Sequence, residues 1–353
     1  MENKNIYLDI HAIQSVPPSN INRDDTGSPK TAQYGGVTRS RVSSQSWKKA
    51  MRDYFNNKVS NNDEIVGKRS LDIVRYVADE IVKLNNSITT EDAMTMADTT
   101  LNDAKVSTKD GKVKAMFFIS RIQAQNLAKA SIEGIKDRKE LQAILNQNPS
   151  LDMALFGRMV ADDASLNEDA SCQVAHSIST HAVQTEFDFY TATDDLKPEN
   201  ESGAGMLGTV EFNSSTLYRY ANIAIHELFK QLGNSQEFTV NSVKLFVEAF
   251  VKSMPTGKVN TFANQTLPSA LVVTIREDRP VNLVTAFESP VKVNDGYVKG
   301  SIEKLKKEYT NVLTYVEDPK FTFTIGIEGI GDSQKKFNEL LDNLGTSVQS
   351  LLK

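Results

Sequence analysis

A single cysteine, Cys172, excludes an internal disulfide and a cysteine-built metal cluster. No apolar run approaches the roughly 18 residues that a membrane-crossing helix needs. The opening residues, Met1-Glu2-Asn3-Lys4-Asn5, lack the layout of a secretory signal and lead directly into a strand-like run. No internal repeat is found. A soluble cytoplasmic chain without a membrane partner is therefore expected. The 353 residues, 39% of them hydrophobic, suffice for one large or two ordinary domains with a substantial core. The net charge of −5 argues mildly against nucleic acid, so any such function must rest on a local patch.

That patch exists. Residues 1–60 hold nine lysines and arginines against five acids, a surplus of four that leaves the remainder at −9. The basic residues concentrate between Asn22 and Arg52, in Arg23, Lys30, Arg39, Arg41, Lys48, Lys49 and Arg52. Ser43 or Ser44 can cap a helix, because its hydroxyl accepts a bond from an orphan backbone N–H. Trp47, Ala50, Met51, Tyr54 and Phe55 then form one apolar stripe, and Gln45, Lys48, Lys49 and Arg52 another. One face docks in a core while the other presents donors near a helix N-terminus, a setting that suits phosphate. The alternative is a solvated face of ordinary lysines. Just upstream, Gly35-Gly36 marks a tight turn.

Elsewhere the pattern alternates strands and helices, which supports α+β. Ile6–Ile13 reads as a strand with Ile6, Leu8, Ile10 and Ala12 on one face, and residues 19–36 as a polar loop. Strand, loop and helix would open a ferredoxin-like (RRM-like) βαββαβ core. Residues 61–160 are predominantly helical, with Val74, Val77, Ile81 and Leu84 on one stripe, and suggest an inserted subdomain. Residues 182–193 and 210–223 read as the strands of a long hairpin. A helix over Val243–Val251, a strand at Ala270–Ile275, a helix at Ser301–Val316, a strand at Phe321–Ile327 and a final helix from Gln334 follow.

Four further patterns carry two readings each. Gly203, Gly205 and Gly208 match G-x-G-x-x-G, but a strand follows where a dinucleotide site needs a helix, so a hairpin tip explains them better. His176 and His181 stand five apart, a poor spacing for two ligands on one helix face, which favours structural roles. Cys172 with His176 could form a thiol–imidazole pair, yet nothing supplies an orienting group or an oxyanion hole. Asp24-Asp25 could bind Mg²⁺ for phosphodiester cleavage, or could cap backbone N–H groups and pair with Arg23.

Several segments together resemble one family. They are Asn22-Arg23-Asp24-Asp25, Tyr34-Gly35-Gly36 and Arg39–Arg52, then Leu155–Met159 (LFGRM), Ala175–Val183, Asp188–Leu196, Leu207–Ile223 and Ala286–Lys292. In this order they resemble the CasC family, backbone subunits of the type I-E CRISPR Cascade complex. The resemblance implies a ferredoxin-like palm with a large helical insertion (fingers) and a long β-hairpin (thumb). On that reading 1–60 opens the palm and carries the basic RNA-binding segment, and 61–180 is the insertion. Residues 181–223 hold the thumb, its tip at about 196–208, and 224–353 complete the palm. The resemblance further implies a non-enzymatic subunit, without cofactor or metal, that stacks head-to-tail along guide crRNA. Arg23, Lys30, Arg41, Lys48, Lys49 and Arg52 would hold RNA phosphates, with Ser43 and Gln45 bonding phosphate or sugar. Met159, Phe189, Tyr190 and Leu207 would contact kinked RNA. Partners would be other copies of the chain and target DNA paired through the guide. The large and small Cascade subunits, the crRNA-processing endonuclease and the 5'-handle-binding subunit would complete the set. The competing readings are a metal-dependent RNase using Asp24 or Asp25, and a purely structural scaffold.

Overall fold

The computed structural model describes residues 5–58, 65–160, 162–192 and 206–352. A mixed α+β architecture is built on one large, mostly antiparallel sheet. At its centre lies Tyr7–Ser19, flanked by Ala270–Arg276 on one side and by the 19-residue strand Met206–Ala224 on the other. Cys172–Val174 and Ser177–Ser179 pair antiparallel with the far edge of the long strand. The hairpin Thr31–Tyr34 and Val37–Val42 continues the sheet beyond Ser177–Ser179, and Phe321–Ile325 extends the opposite side. Sequence reading placed Thr31–Tyr34 in a polar loop. Four residues of alternating half-exposure against a single partner leave too weak a period to show in sequence.

Alternation in the first strand sorts its side chains between two cores. Ile6, Leu8 and Ile10 enter a core with Met51 and Phe55 of helix Ser44–Lys58. Val243, Phe246, Val247 and Phe250 of Gln236–Lys252 join the same core, with Leu340, Leu344 and Val348 of the final helix Phe337–Leu351. Burial of each such Leu, Ile or Phe contributes roughly 1.5–3 kcal/mol. The opposite face packs Ile13, Tyr218 and Val272 against Leu305 and Tyr309 of helix Val298–Val312.

The segment after the first helix forms a body with its own core. Helices Ile73–Leu84, Thr90–Asp103, Arg121–Glu133 and Arg138–Asn146 surround Val77, Ile81, Leu101, Leu127 and Leu141. Leu84, expected on the buried stripe, is exposed at the helix end, and Ile73 and Ala78 are buried instead. A reciprocal Ser120–Gln123 capping box starts the third of these helices, and Gly134, at φ +72°, ends it in the left-handed region. Within 61–180, the segments Cys172–Val174 and Ser177–Ser179 are bonded into the main sheet rather than into this helical body.

Asp9 and His11 sit in the layer between sheet and loop 277–287. Tyr220 donates to Asp9 Oδ1 (2.7 Å), the Val281 N–H donates to Oδ2 (3.0 Å), and Arg276 Nε lies 3.8 Å away. Desolvation outweighs these partners and raises the Asp9 carboxyl to about 7. The same burial, with Arg276 nearby, lowers His11 to about 3. The two act oppositely on stability. A raised carboxyl favours the fold at low pH and loses that contribution as pH rises through about 7. A depressed imidazole favours the fold above its unfolded value and loses that contribution as pH falls toward about 3. Asp9→Asn therefore unmasks His11: denaturant unfolding at several pH values between about 4 and 6.5 should show a stability that falls with acid more steeply than wild type. The added slope should approach ~1.4 kcal/mol per pH unit. Parallel pH profiles for the two proteins would refute this.

Candidate nucleic-acid interface

The basic segment folds as a hairpin feeding a helix. Gly35 and Gly36, at φ +60° and +77°, make the two-residue turn between Tyr34 and Val37. Gly35 also lies under the Glu288 carbonyl, where a Cβ would approach to 1.6 Å. Arg39 is removed from the patch. Its guanidinium is buried and donates to the carbonyls of Tyr34, Ser179, Phe287 and Glu288, so it locks the turn to loop 281–292. Arg41 remains half-exposed, with Nε on the Thr31 carbonyl (3.2 Å). Lys30 stands near it: both cations help to depress His176, whose largest perturbation is its burial. Arg23, exposed, is paired through its backbone with Pro29.

Helix Ser44–Lys58 starts on two acceptors. Ser43 Oγ takes the Gln45 N–H (3.3 Å), and His176 Nδ1 takes the Ser44 N–H (2.9 Å). An imidazole nitrogen that accepts carries no proton, so His176 caps the helix in its neutral form. Trp47, Ala50, Met51 and Phe55 are buried as the stripe required. Gln45, Lys48, Lys49 and Arg52 line a groove of about 700 Å³. The rest of its lining comes from Arg69, Met116 and Phe118 on the helical body, from Phe156 and residues 157–159, and from residues 167–170, which bring the acids Glu168 and Asp169.

The four helix side chains are not equivalent. Lys48 lies 5.8 Å from the Phe156 ring and makes no ion pair among the described residues. Lys49 pairs with Asp53 (2.6 Å) on the exposed side. Arg52 donates through Nε to Asp152 (2.8 Å), a fully buried carboxylate, and rests 4.9 Å from the Phe118 ring. Asp152 also accepts from the Gly67 N–H (3.0 Å) and from Ser150 Oγ (2.7 Å). Arg52 thus fastens the basic helix to helix Leu151–Phe156, whose Leu151, Ala154 and Leu155 share its core, and reaches the helical body through the Phe118 ring, in addition to lining the groove.

Met159, of a residue type that more often fills cores, is 86% exposed and therefore not a core residue. Its neighbour Arg158 explains its position. The Arg158 guanidinium is buried and donates from Nε to Leu166 O (2.8 Å), from Nη2 to Leu145 O (2.9 Å) and Asn146 Oδ1 (3.3 Å), and from Nη1 to Phe118 O (3.3 Å). It lies 5.3 Å from the Phe117 ring, and burial lowers it to about 10. Met159→Ala should therefore change unfolding free energy by less than about 0.5 kcal/mol, as for an ordinary surface site, and a thermal melt checks this. A loss above ~2 kcal/mol would mark it as core.

Phe189, Tyr190 and Leu207 lie on the projecting hairpin, apart from the groove. Glu186–Ala192 pairs with the outer half of the long strand, and every residue of it is exposed. Phe187, Phe189 and Leu207 share one face, Tyr190 and Met206 the other. The Tyr190 ring lies over Gly208, where a Cβ would meet it at 2.4 Å. Residues 196–205 of the expected tip, with Gly203 and Gly205, lie outside the described residues.

The remaining candidates resolve locally. His181 stacks on Tyr297 at 3.5 Å and accepts the Thr216 N–H at Nε2 (3.0 Å), a structural role. Burial pushes the Cys172 thiol up to about 12, which leaves it protonated and unreactive. Asp24 Oδ1 accepts from Thr26 Oγ1, the Thr26 N–H and the Ser28 N–H, so this carboxylate caps its own loop, and those bonds hold it below the usual range. Among the described residues no three His, Cys, Asp or Glu side chains converge on a metal-sized site, and no helix is long and apolar enough to cross a membrane. Sequence reading missed Arg69, Met116, Phe118 and Phe156. Arg69 sits in a three-residue strand and Met116 in a loop, where periodicity carries no signal.

This architecture, a large sheet carrying a helical body and a projecting hairpin, is similar to that of chains solved within CRISPR RNA-guided surveillance complexes. One, from a complex described as pre-nicking, is 28% identical and covers 97% of this chain and 100% of its own length, with a TM-score of 0.82. Another, from a CRISPR RNA-guided surveillance complex, is 27% identical over 97% of this chain and 99% of that one, at a TM-score of 0.66. The chain belongs to the CT1975-like protein family, whose model matches residues 8–347. A comparison with curated proteins finds no match.

Proposed function

We propose that this protein is a non-enzymatic backbone subunit of a type I-E CRISPR Cascade complex, stacking head-to-tail along guide crRNA. The observation that carries this is the groove: Gln45, Lys48, Lys49 and Arg52 form one wall and the exposed Met159 another, in a chain alike over nearly its whole length to surveillance-complex chains. The ferredoxin-like palm is supported by the antiparallel order Ala270–Arg276, Tyr7–Ser19, Met206–Ala224, Cys172–Val174. Helices Ser44–Lys58 and Gln236–Lys252 follow the first and third strands of the βαββαβ order and share one core.

Cations and helix-terminal donors hold phosphates without reading bases, so any guide sequence is accepted. Bases left exposed pair with target DNA, and specificity resides in the guide. The hairpin of one copy, apolar on both faces, covers the RNA held by the next, a heterologous contact that generates an open filament. The test is to purify the chain coexpressed with partner subunits and a matching repeat array, then run extracted nucleic acid on a denaturing gel. A single discrete small RNA, released as salt rises, is expected. A preparation free of nucleic acid in low salt would leave only a structural scaffold.

A further inference from the structure

The groove has two walls of different chemistry, and of the facing wall only Met159 was named from sequence as an RNA contact. On the facing wall Arg69 is exposed, and its side chain makes no hydrogen bond or ion pair among the described residues. Arg52 and Lys49 already hold carboxylates, so Lys48 and Arg69 are the groove cations most open to a phosphate. Met116 is 59% exposed and lines the groove with Met159 and Phe118, so thioethers and a ring stand on this wall, with Glu168 and Asp169 also in the lining. An exposed methionine sharing this wall with an arginine whose side chain has no partner among the described residues adds little to the core; thioethers fit irregular flat surfaces. A ligand with an anionic edge and a flat apolar body, linked by a polar sugar, satisfies both walls at once, and the cavity is within the range that holds drug-sized ligands, ~300–1,000 Å³.

We infer that the helical body supplies half of a nucleotide subsite: Arg69 holds a phosphate of single-stranded RNA, and Met116 with Met159 grips the adjoining base. This rests on the proposed RNA-binding role and adds residues to it. Arg69 belongs to strand Lys68–Ser70, bonded to Phe117–Ile119 in the register Arg69–Phe118, so the cation and the aromatic floor form one rigid unit. The Arg158 guanidinium donates to the Phe118 carbonyl and so joins that unit to the Met159 loop. Both thioethers are therefore held by one scaffold, which favours a fixed gap rather than a mobile lid.

The roles predict different signatures. The full-length chain, with Arg69→Glu, Arg69→Lys and Met116→Ala variants, is titrated with a short fluorescent single-stranded RNA across a range of salt. Arg69→Glu should weaken binding about tenfold and lower the slope of log affinity against log salt by about 0.7, one single-strand phosphate contact. Arg69→Lys should keep the slope. Met116→Ala should weaken binding several-fold with the slope unchanged, because an apolar contact releases no counterion. Both positions are exposed, so thermal melts should match wild type. A wild-type slope in Arg69→Glu, or wild-type affinity in Met116→Ala, overturns the inference while RNA binding by the helix stands. A wild-type chain that binds no RNA removes the reading beneath it.

Discussion

Lys48→Glu with Lys49→Glu should lower affinity for single-stranded RNA by about 100-fold or more and reduce the salt slope by about 1.4, the share of two phosphate contacts. Each charge-assisted contact contributes roughly 1.5–3 kcal/mol, and every 1.4 kcal/mol is tenfold, so two contacts account for that loss before the added repulsion. The pair is chosen over Arg52 for a structural reason. Arg52 neutralises the buried Asp152, and a glutamate there would set two carboxylates together between two helices of one core. Loss of binding would then be indistinguishable from loss of fold, since breaking a buried pair costs about 3–5 kcal/mol. Lys48 and Lys49 face the groove from the solvent side, and Lys49 gives up only an exposed pair with Asp53, of small value. Binding isotherms at three or more salt concentrations decide the matter. Equal slopes for variant and wild type would show that these lysines touch no phosphate.

The helix bearing these lysines was legible because two periodic signals coincided in it. An apolar stripe at helical spacing fixed its buried side, and the charged stripe then had to face outward. Long elements with such periods, the first strand and the helix Gln236–Lys252 among them, were also readable, with ends shifted by a few residues. What stayed hidden depended on partners remote in sequence. Nothing local tells Arg39, buried against carbonyls of 287 and 288, from Arg41 two residues on, which stays partly in solvent. The difference is made by the loop that closes over Gly35. Arg69 and Met116 are a second case: fragments of two or three residues carry no period, and only the pairing of Lys68–Ser70 with Phe117–Ile119 brings them to the groove. Met159 shows the converse. Sequence placed it beside RNA only by family resemblance, since a methionine near a helix is more often core; its exposure removes the core reading.

Arg158→Ala should be among the most destabilising single changes in the helical body, by about 3–5 kcal/mol. The guanidinium holds three carbonyls from three separate segments, Phe118, Leu145 and Leu166, and the Asn146 amide oxygen. Among the described residues no carboxylate pairs with it: Glu168, the acid whose charge acts on it, is bonded instead to Gln231 (2.7 Å). Truncation leaves buried acceptors unpaired, each at a cost of roughly 1–3 kcal/mol, and opens a void beside Phe117. Lysine is a poor substitute, because one ammonium cannot span acceptors arranged for a planar fork. The effect should reach function through geometry. The backbone of Arg158 pairs with Glu168 in both directions (2.9 and 2.8 Å), and the side chain fixes that bridge to the floor of the groove, so its loss frees the loop carrying Met159. Hydrogen exchange should rise in residues 117–119, 145–146, 158–160 and 162–168 while the first strand stays protected, because the helical body has a core separate from that of the sheet. Uniform loss of protection across both bodies would instead mean that they unfold as one unit despite their separate cores.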